Sequence, residues 1–139
     1  MNKALFDTDI ISFFLKGEEL VVKNVNLYLR HFGYLNISII TYYEIVSGLL
    51  AKKAVQQLNI FEKFISKNRI IFLTESSANI ASEIYASLRV SGNTVDDIDL
   101  LIAGIAIENE LVLITNNEKH FSRIHNLKIE NWRKIEIQE

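Results

Sequence analysis

Leu111-Val112-Leu113-Ile114 is the most restrictive stretch of this sequence. Four consecutive apolar residues with no polar alternation suit a strand covered on both faces, as in a parallel sheet buried between helices. The segment before it tightens the constraint. From Leu100 to Ile107 the chain is apolar on almost every side of a helix predicted over Asp96 to Glu108, so that helix needs neighbours on several sides. It is too short to span a membrane, which takes about 20 residues.

The remaining pattern alternates in the same sense. Ala4-Leu5-Phe6 is a short apolar run, followed by the turn residues Asp7-Thr8-Asp9 and by Ile10 to Leu15, one or two helical turns before Gly17. A helix is predicted from about Leu20 to Phe32, with Val21, Val25 and Leu29 on one face and Gly33 as its stop. Leu35 to Ser38 reads as a strand, and Thr41 opens a helix carrying Glu44, Ile45, Leu49 and Leu50. Val55, Leu58, Phe61 and Ile65 mark another helix, Arg69 to Leu73 a third strand, and Ser77 to Val90 a helix closing at Ser91-Gly92-Asn93. A last edge strand is expected among Lys128 to Ile137. Strands alternating with helices predict an α/β fold with a central, mainly parallel sheet.

With 139 residues, 49% of them hydrophobic, and no repeat or proline- or glycine-rich linker, the expectation is a single domain over residues 1–139. The absence of cysteine excludes disulfides and thiolate metal sites. An aspartate at residue 7 comes too early for a signal-peptide apolar region, and no apolar run approaches the roughly 18 residues of a membrane span. A soluble, cytoplasmic protein without membrane association is therefore expected. Lys and Arg total 15 against 17 acids, a net charge of −2 that argues against a pure nucleic-acid-binding module. It argues less against a nuclease, because a bound divalent ion neutralises acidic charge and contacts phosphate itself.

Three acids fall where open α/β sheets bind ligands, at helix starts beside the carboxyl ends of strands: Asp7, Glu44 and Asp99. Singly, each also reads as helix-end chemistry. Thr41-x-x-Glu44 has the form of a capping box, Asp7 and Asp9 can serve as turn residues or N-caps, and Asp96 can cap the helix on which Asp99 holds the third position. The surroundings of Asp99 favour more than a cap. Ile98 and Leu100-Leu101-Ile102-Ala103-Gly104 flank it, so its carboxylate is expected to be semi-buried and to need a partner. Two carboxylates about 4 Å apart repel by roughly 4 kcal/mol at an effective dielectric near 20. With no lysine or arginine close by in sequence, an oxygen-liganded magnesium or manganese ion is the simpler counter-charge.

Four segments together carry a family resemblance: Leu5-Phe6-Asp7-Thr8-Asp9-Ile10-Ile11, Ile39-Ile40-Thr41-x-x-Glu44-Ile45-x-x-Gly48, Asp99-Leu100-Leu101-Ile102-Ala103-Gly104-Ile105-Ala106 and Leu113-Ile114-Thr115-Asn116-Asn117-x-x-His120-Phe121. In order and spacing the chain resembles PIN-domain proteins, and among them the VapC-type toxins of toxin–antitoxin pairs. The likeness extends to Leu127-x-x-Glu130-Asn131-Trp132, which is similar to the family's usual ending. It implies a three-layer α/β/α sandwich and a Mg²⁺-dependent endoribonuclease, with Mn²⁺ able to substitute, cutting RNA such as tRNA or rRNA. It also implies a homodimer and a cognate antitoxin whose C-terminal segment covers the acidic groove. On this resemblance Asp7, Glu44 and Asp99 are the catalytic acids, Asp7 and Asp99 the direct metal ligands, and Thr8, Asp9, Thr115 and Asn117 supporting residues.

One departure stands out. Many members carry a fourth acid immediately before the phenylalanine, where this chain has His120, with Glu118 nearby. His120 reads either as a phosphate or leaving-group contact or as an exposed turn residue. His31 and His125 have no zinc-site spacing to it. Lys52, Lys53, Lys63, Lys67 and Arg69 offer phosphate contacts or simply a solvated face, and of Tyr42 and Tyr43 one is expected in the core and the other along a groove. The rival readings are a degenerate PIN-like domain that binds RNA or protein without cutting, and a ligand-binding α/β domain whose acids are only caps. The second lacks the glycine-rich phosphate loop that would support it.

Overall fold

Five strands and the helices between them account for most of the computed structural model, which describes residues 1–138. The strands are β1 (Ala4–Phe6), β2 (Asn36–Ser38), β3 (Arg69–Ile71), β4 (Val112–Ile114) and β5 (Ile129–Glu130). The helices are α1 (Thr8–Leu15), α2 (Glu19–Phe32), α3 (Ile39–Ala51), α4 (Val55–Ile65), α5 (Glu75–Val90), α6 (Asp97–Glu108) and α7 (Glu118–Phe121). The sheet order is β3-β2-β1-β4-β5 and every pairing is parallel, with Leu5 opposite Asn36 on one side and Leu113 on the other. Parallel neighbours require long crossovers, which the helices supply.

Period-two alternation divides the sheet between two cores. Ala4, Phe6, Ile37, Val112 and Ile114 face the side packed by Ile10, Ile11, Val21, Val25, Tyr28, Phe61 and Trp132. Leu5, Ile71 and Leu113 face the other side, packed by Ala81, Leu88, Ile102, Ala103, Ile105, Ala106 and Phe121. Helix layers therefore cover both faces, and the unbroken apolar run of β4 is explained. The all-round apolar character of α6 has a second cause in its contact with α5. A Cβ placed on Gly104 would sit 2.4 Å from the carbonyl oxygen of Ser77, so the two helices approach as only glycine permits.

The far end of the chain is tied back across α2. Asn24, buried in that helix, donates from Nδ2 to the carbonyls of Trp132 (3.0 Å) and Ile135 (2.7 Å), while its Oδ1 accepts from the Ile137 N–H (3.0 Å). Gly33, at φ +86°, ends α2 in the left-handed conformation that its sequence position foretold.

Several boundaries differ from the sequence reading. α3 starts at Ile39, because Ser38 ends β2 and at the same time caps the helix, its Oγ accepting from the Thr41 N–H at 3.0 Å. Thr41 is therefore not a cap, the Thr41-x-x-Glu44 capping box does not form, and Glu44 lies in the second turn rather than the first. α1 starts at Thr8 with Asp7 as its N-cap, β3 ends at Ile71 rather than Leu73, and α7 forms where only a turn was anticipated. Asp96 occupies the N-cap position of α6 without a side-chain capping bond.

Candidate active site

The carboxyl ends of β1 and β4 lie side by side, and each delivers polar residues to the same edge. Asp7 leaves β1 with its N–H on the Ile114 carbonyl (2.9 Å) and is only 5% exposed. Each oxygen of its carboxylate accepts one hydrogen bond, Oδ1 from the Thr8 N–H (2.8 Å) and Oδ2 from the Thr115 hydroxyl (2.7 Å), which leaves a lone pair on each. Asp9, one residue into α1, accepts from the Ile10 N–H at 2.7 Å and from the Asn116 N–H at 3.0 Å. Asp99, in the first turn of α6, meets His120 Nδ1 at 3.1 Å and, more weakly, Asn117 Nδ2 at 3.5 Å, both through Oδ2. Residues 115, 116 and 117 thus touch three different aspartates in succession.

These aspartates share one electrostatic environment. Burial pushes the Asp7 carboxyl up to about 7, with the charge of Asp9 adding to the effect and the hydrogen bonds from Thr115 and Thr8 opposing it; Asp99 adds a smaller repulsion. Asp9 is raised first by burial, against the backbone N–H bonds it accepts, those of Asn116 and Ile10 foremost, and Asp99 repels it as well. Burial also raises Asp99, opposed by its contact with His120. No lysine or arginine contributes to holding any of the three ionised.

Glu44 reaches the edge from α3 by another route. Its Oε1 accepts from the Thr8 hydroxyl at 2.6 Å, and Thr41 Oγ1 stands 3.0 Å from the same hydroxyl. Glu44 is therefore joined to the aspartates through Thr8, not by direct contact. His120, near the C-terminal end of α7, is 42% exposed at its side chain, and its Nδ1 faces both Asp99 and Asn117 Nδ2 (2.9 Å). One ring nitrogen cannot donate to Asp99 and accept from Asn117 in the same tautomer, so these two contacts are alternatives. The histidine is thus inside the polar network, not an isolated turn residue. Of the two tyrosines, Tyr42 packs towards Phe61 in the core and Tyr43 is 62% exposed. Lys52, Lys53, Lys63, Lys67 and Arg69 are all exposed.

Whether this edge fits a metal ion is decided by its donor set. It offers hard oxygen ligands from carboxylates that repel one another, with no lysine or arginine beside them and only His120 against Asp99, the environment a divalent cation relieves. Among the described residues no three acidic or histidine side chains are gathered so as to hold one ion by themselves. An ion held by two carboxylates and completed by water and substrate oxygens matches what magnesium accepts.

Sequence reasoning missed two polar groups here. Thr41, read as a cap, is a partner of Thr8. Asn131, noted only as part of the Leu127 to Trp132 ending, places its Nδ2 3.0 Å from Asn116 Oδ1 and 2.9 Å from Glu118 Oε2. The signal available was a polar residue set beside a tryptophan in an otherwise packed segment.

The sequence pattern of the PIN domain matches residues 4–127. The chain belongs to the PIN-domain family. Among PIN-domain relatives, Ribonuclease VapC1 of Methanocaldococcus jannaschii is 34% identical over 123 residues, covering 88% of this chain and 82% of its own. The tRNA(fMet)-specific endonuclease VapC of Salmonella typhimurium is 32% identical over 134 residues, covering 95% and 99%. VapBC2 from Rickettsia felis, solved bound to a DNA fragment from its promoter, superposes with a TM-score of 0.84 at 31% identity, covering 93% of this chain and 98% of that one. The likeness of this PIN domain is therefore to ribonucleases of the VapC type, over nearly its whole length. The three-layer α/β/α sandwich and the parallel sheet agree with the resemblance read from the four motifs.

Proposed function

We propose that this chain is a divalent-metal-dependent endoribonuclease and the toxin member of a VapBC-type pair, acting in the cytoplasm on structured RNA of the tRNA or rRNA class. The observation that carries the reading is the group of three aspartates on one sheet edge, each raised by burial and by the charge of another aspartate, with no lysine or arginine beside them and only the half-exposed His120 against Asp99. Asp7 and Asp99 would hold the ion, Mg²⁺ or Mn²⁺, and Asp9 and Thr115 would fix the ligand geometry. When bound, such an ion lowers the pKa of a coordinated water and withdraws charge from the scissile phosphate. Glu44, with one carboxylate oxygen committed to Thr8, keeps the other to orient the attacking water or to help hold a second ion. Asn117 and His120 both bear on Oδ2 of Asp99.

Attack by water rather than by the ribose 2′-OH leaves a 5′-phosphate and a 3′-OH. Incubating the purified protein with total cellular RNA and mapping the ends should yield those termini in Mn²⁺ or Mg²⁺ and no cleavage in EDTA. Cleavage that persists in EDTA, or 2′,3′-cyclic phosphate ends, would refute the mechanism. The cognate antitoxin is expected to occlude the acidic edge and a second copy to form a homodimer. Adding antitoxin should abolish cleavage, and sedimentation should give a dimeric mass. The alternative of a PIN domain that binds without cutting draws support from His120 standing in place of a fourth acid. Metal binding without turnover on total RNA would favour it.

A further inference from the structure

We propose that Asn131 is a positioning residue for the acidic groove, its amide setting the spacing of Asp7, Asp9 and Asp99 by anchoring the segment that touches all three. The inference rests on the reading of that groove as a metal site and identifies what holds it in register.

The anchoring segment leaves the sheet at Thr115, whose N–H makes its ladder bond to the Glu130 carbonyl at 3.0 Å. Beyond that point Asn116 and Asn117 run without a strand partner until α7 starts at Glu118. Yet this is where the contacts to the acids lie, the Thr115 hydroxyl on Asp7, the Asn116 N–H on Asp9 and the Asn117 amide near Asp99. Asn117 N–H donates back to Thr115 Oγ1 at 3.0 Å, which links the first and third contacts.

Asn131 supplies the external fixture. It is 5% exposed, and its one amide joins the unpartnered stretch to the start of α7, donating to Asn116 Oδ1 at 3.0 Å and to Glu118 Oε2 at 2.9 Å. Its oxygen accepts from the Arg133 N–H at 3.1 Å, so every polar group of the side chain is committed. Lys134 Nζ holds Glu118 Oε2 from the outside at 2.7 Å. A leucine of similar size would fill the same buried volume without any polar group to satisfy, so filling the core gives no reason for an amide here. Asn24 shows the contrast, because its equally buried amide binds only the backbone of the chain's end. Groups that orient metal ligands typically change metal affinity by 10- to 100-fold when removed.

The test is a Mn²⁺ titration followed by electron paramagnetic resonance of the free ion, with melting of the metal-free proteins as a control. N131L removes both donors and should raise the Mn²⁺ dissociation constant about tenfold, with little change in circular dichroism. N131D keeps the shape but sets a second carboxylate against Glu118 and should weaken Mn²⁺ binding too. The E118Q/N131D pair rebuilds the bridge with donor and acceptor exchanged, the Asn116 amide turning to donate, and should recover affinity to within about threefold of wild type. Unchanged affinity in N131L overturns the inference. So does a loss in N131D that E118Q does not recover, and this second comparison decides the matter if N131L does not fold. A wild-type protein that binds no Mn²⁺ removes the reading of the groove, and this inference with it.

Discussion

Asp7 is held between opposing demands. Its hydrogen bonds from Thr8 and Thr115 favour the carboxylate, whereas burial and the charge of Asp9 favour the acid, and the balance lies near pH 7 in the absence of metal. A carboxyl raised in the fold relative to its ordinary 3.8 contributes stability that is complete below that value and is lost as the pH climbs through about 7. Metal-free protein in EDTA should accordingly melt lower at about pH 8 than at about pH 5, and Asp7→Asn should flatten the difference while abolishing cleavage. A variant retaining the full pH dependence would show that another group causes it. His120 acts on the groove through Asp99, so His120→Ala should lower kcat by roughly 10- to 100-fold. Asp99→Ala should abolish turnover altogether. Equal losses in single-turnover assays would place His120 among the groups that touch the substrate.

Elements rather than residues decide where Glu44 points. Because Ser38 caps α3, the helix begins directly after the three-residue strand β2, and the sixth helical position carries the glutamate back over Thr8. Ser38→Ala should cost about 1 kcal/mol in chemical denaturation, as lost N-caps do. A Ser38→Thr replacement, which keeps the hydroxyl, should restore most of it. α5 and α6 test a different kind of dependence. Gly104→Ala forces a methyl to within 2.4 Å of a backbone oxygen, and backbone does not yield as a flexible side chain does. About 1–3 kcal/mol of destabilisation is expected from such overpacking, with some displacement of Asp99, which lies on the same helix. A melting temperature equal to wild type would mean that the two helices separate freely.

At the scale of the whole molecule, an ion that binds only the folded state stabilises it by about 2.7 kcal/mol at a hundred times its dissociation constant. Millimolar Mg²⁺ or Mn²⁺ should therefore raise the melting temperature of wild type, and Asp99→Asn should blunt the rise. An identical metal response in the variant would exclude Asp99 as a ligand. Much of the frame was legible beforehand because its signals are local. The apolar run of β4, the helical spacing of Ile80, Ile84 and Leu88, and Gly33 each announce their structure within a few residues. Other features depend on partners far away in the chain. Thr115 meets Asp7 across 108 positions and Asn131 meets Asn116 across 15, and neither pairing leaves a periodic trace. The start of α3 was misplaced because Ser38 serves strand and helix at once, and α7, at four residues, is too short to show periodicity. The acids proposed as catalytic, Asp7, Glu44 and Asp99, stand out by position relative to strands, whereas the link of Glu44 through Thr8 shows only in the folded chain.

Asn24 ties residues 132 to 137 to α2 through three hydrogen bonds. Asn131 lies immediately before that strap and Lys134 within it, so Asn24→Leu, which unties the strap, should loosen both contacts to Glu118 and weaken Mn²⁺ binding without touching the groove. A helix on the far side of the sheet thus has a hand in the chemistry, through a tether rather than a contact.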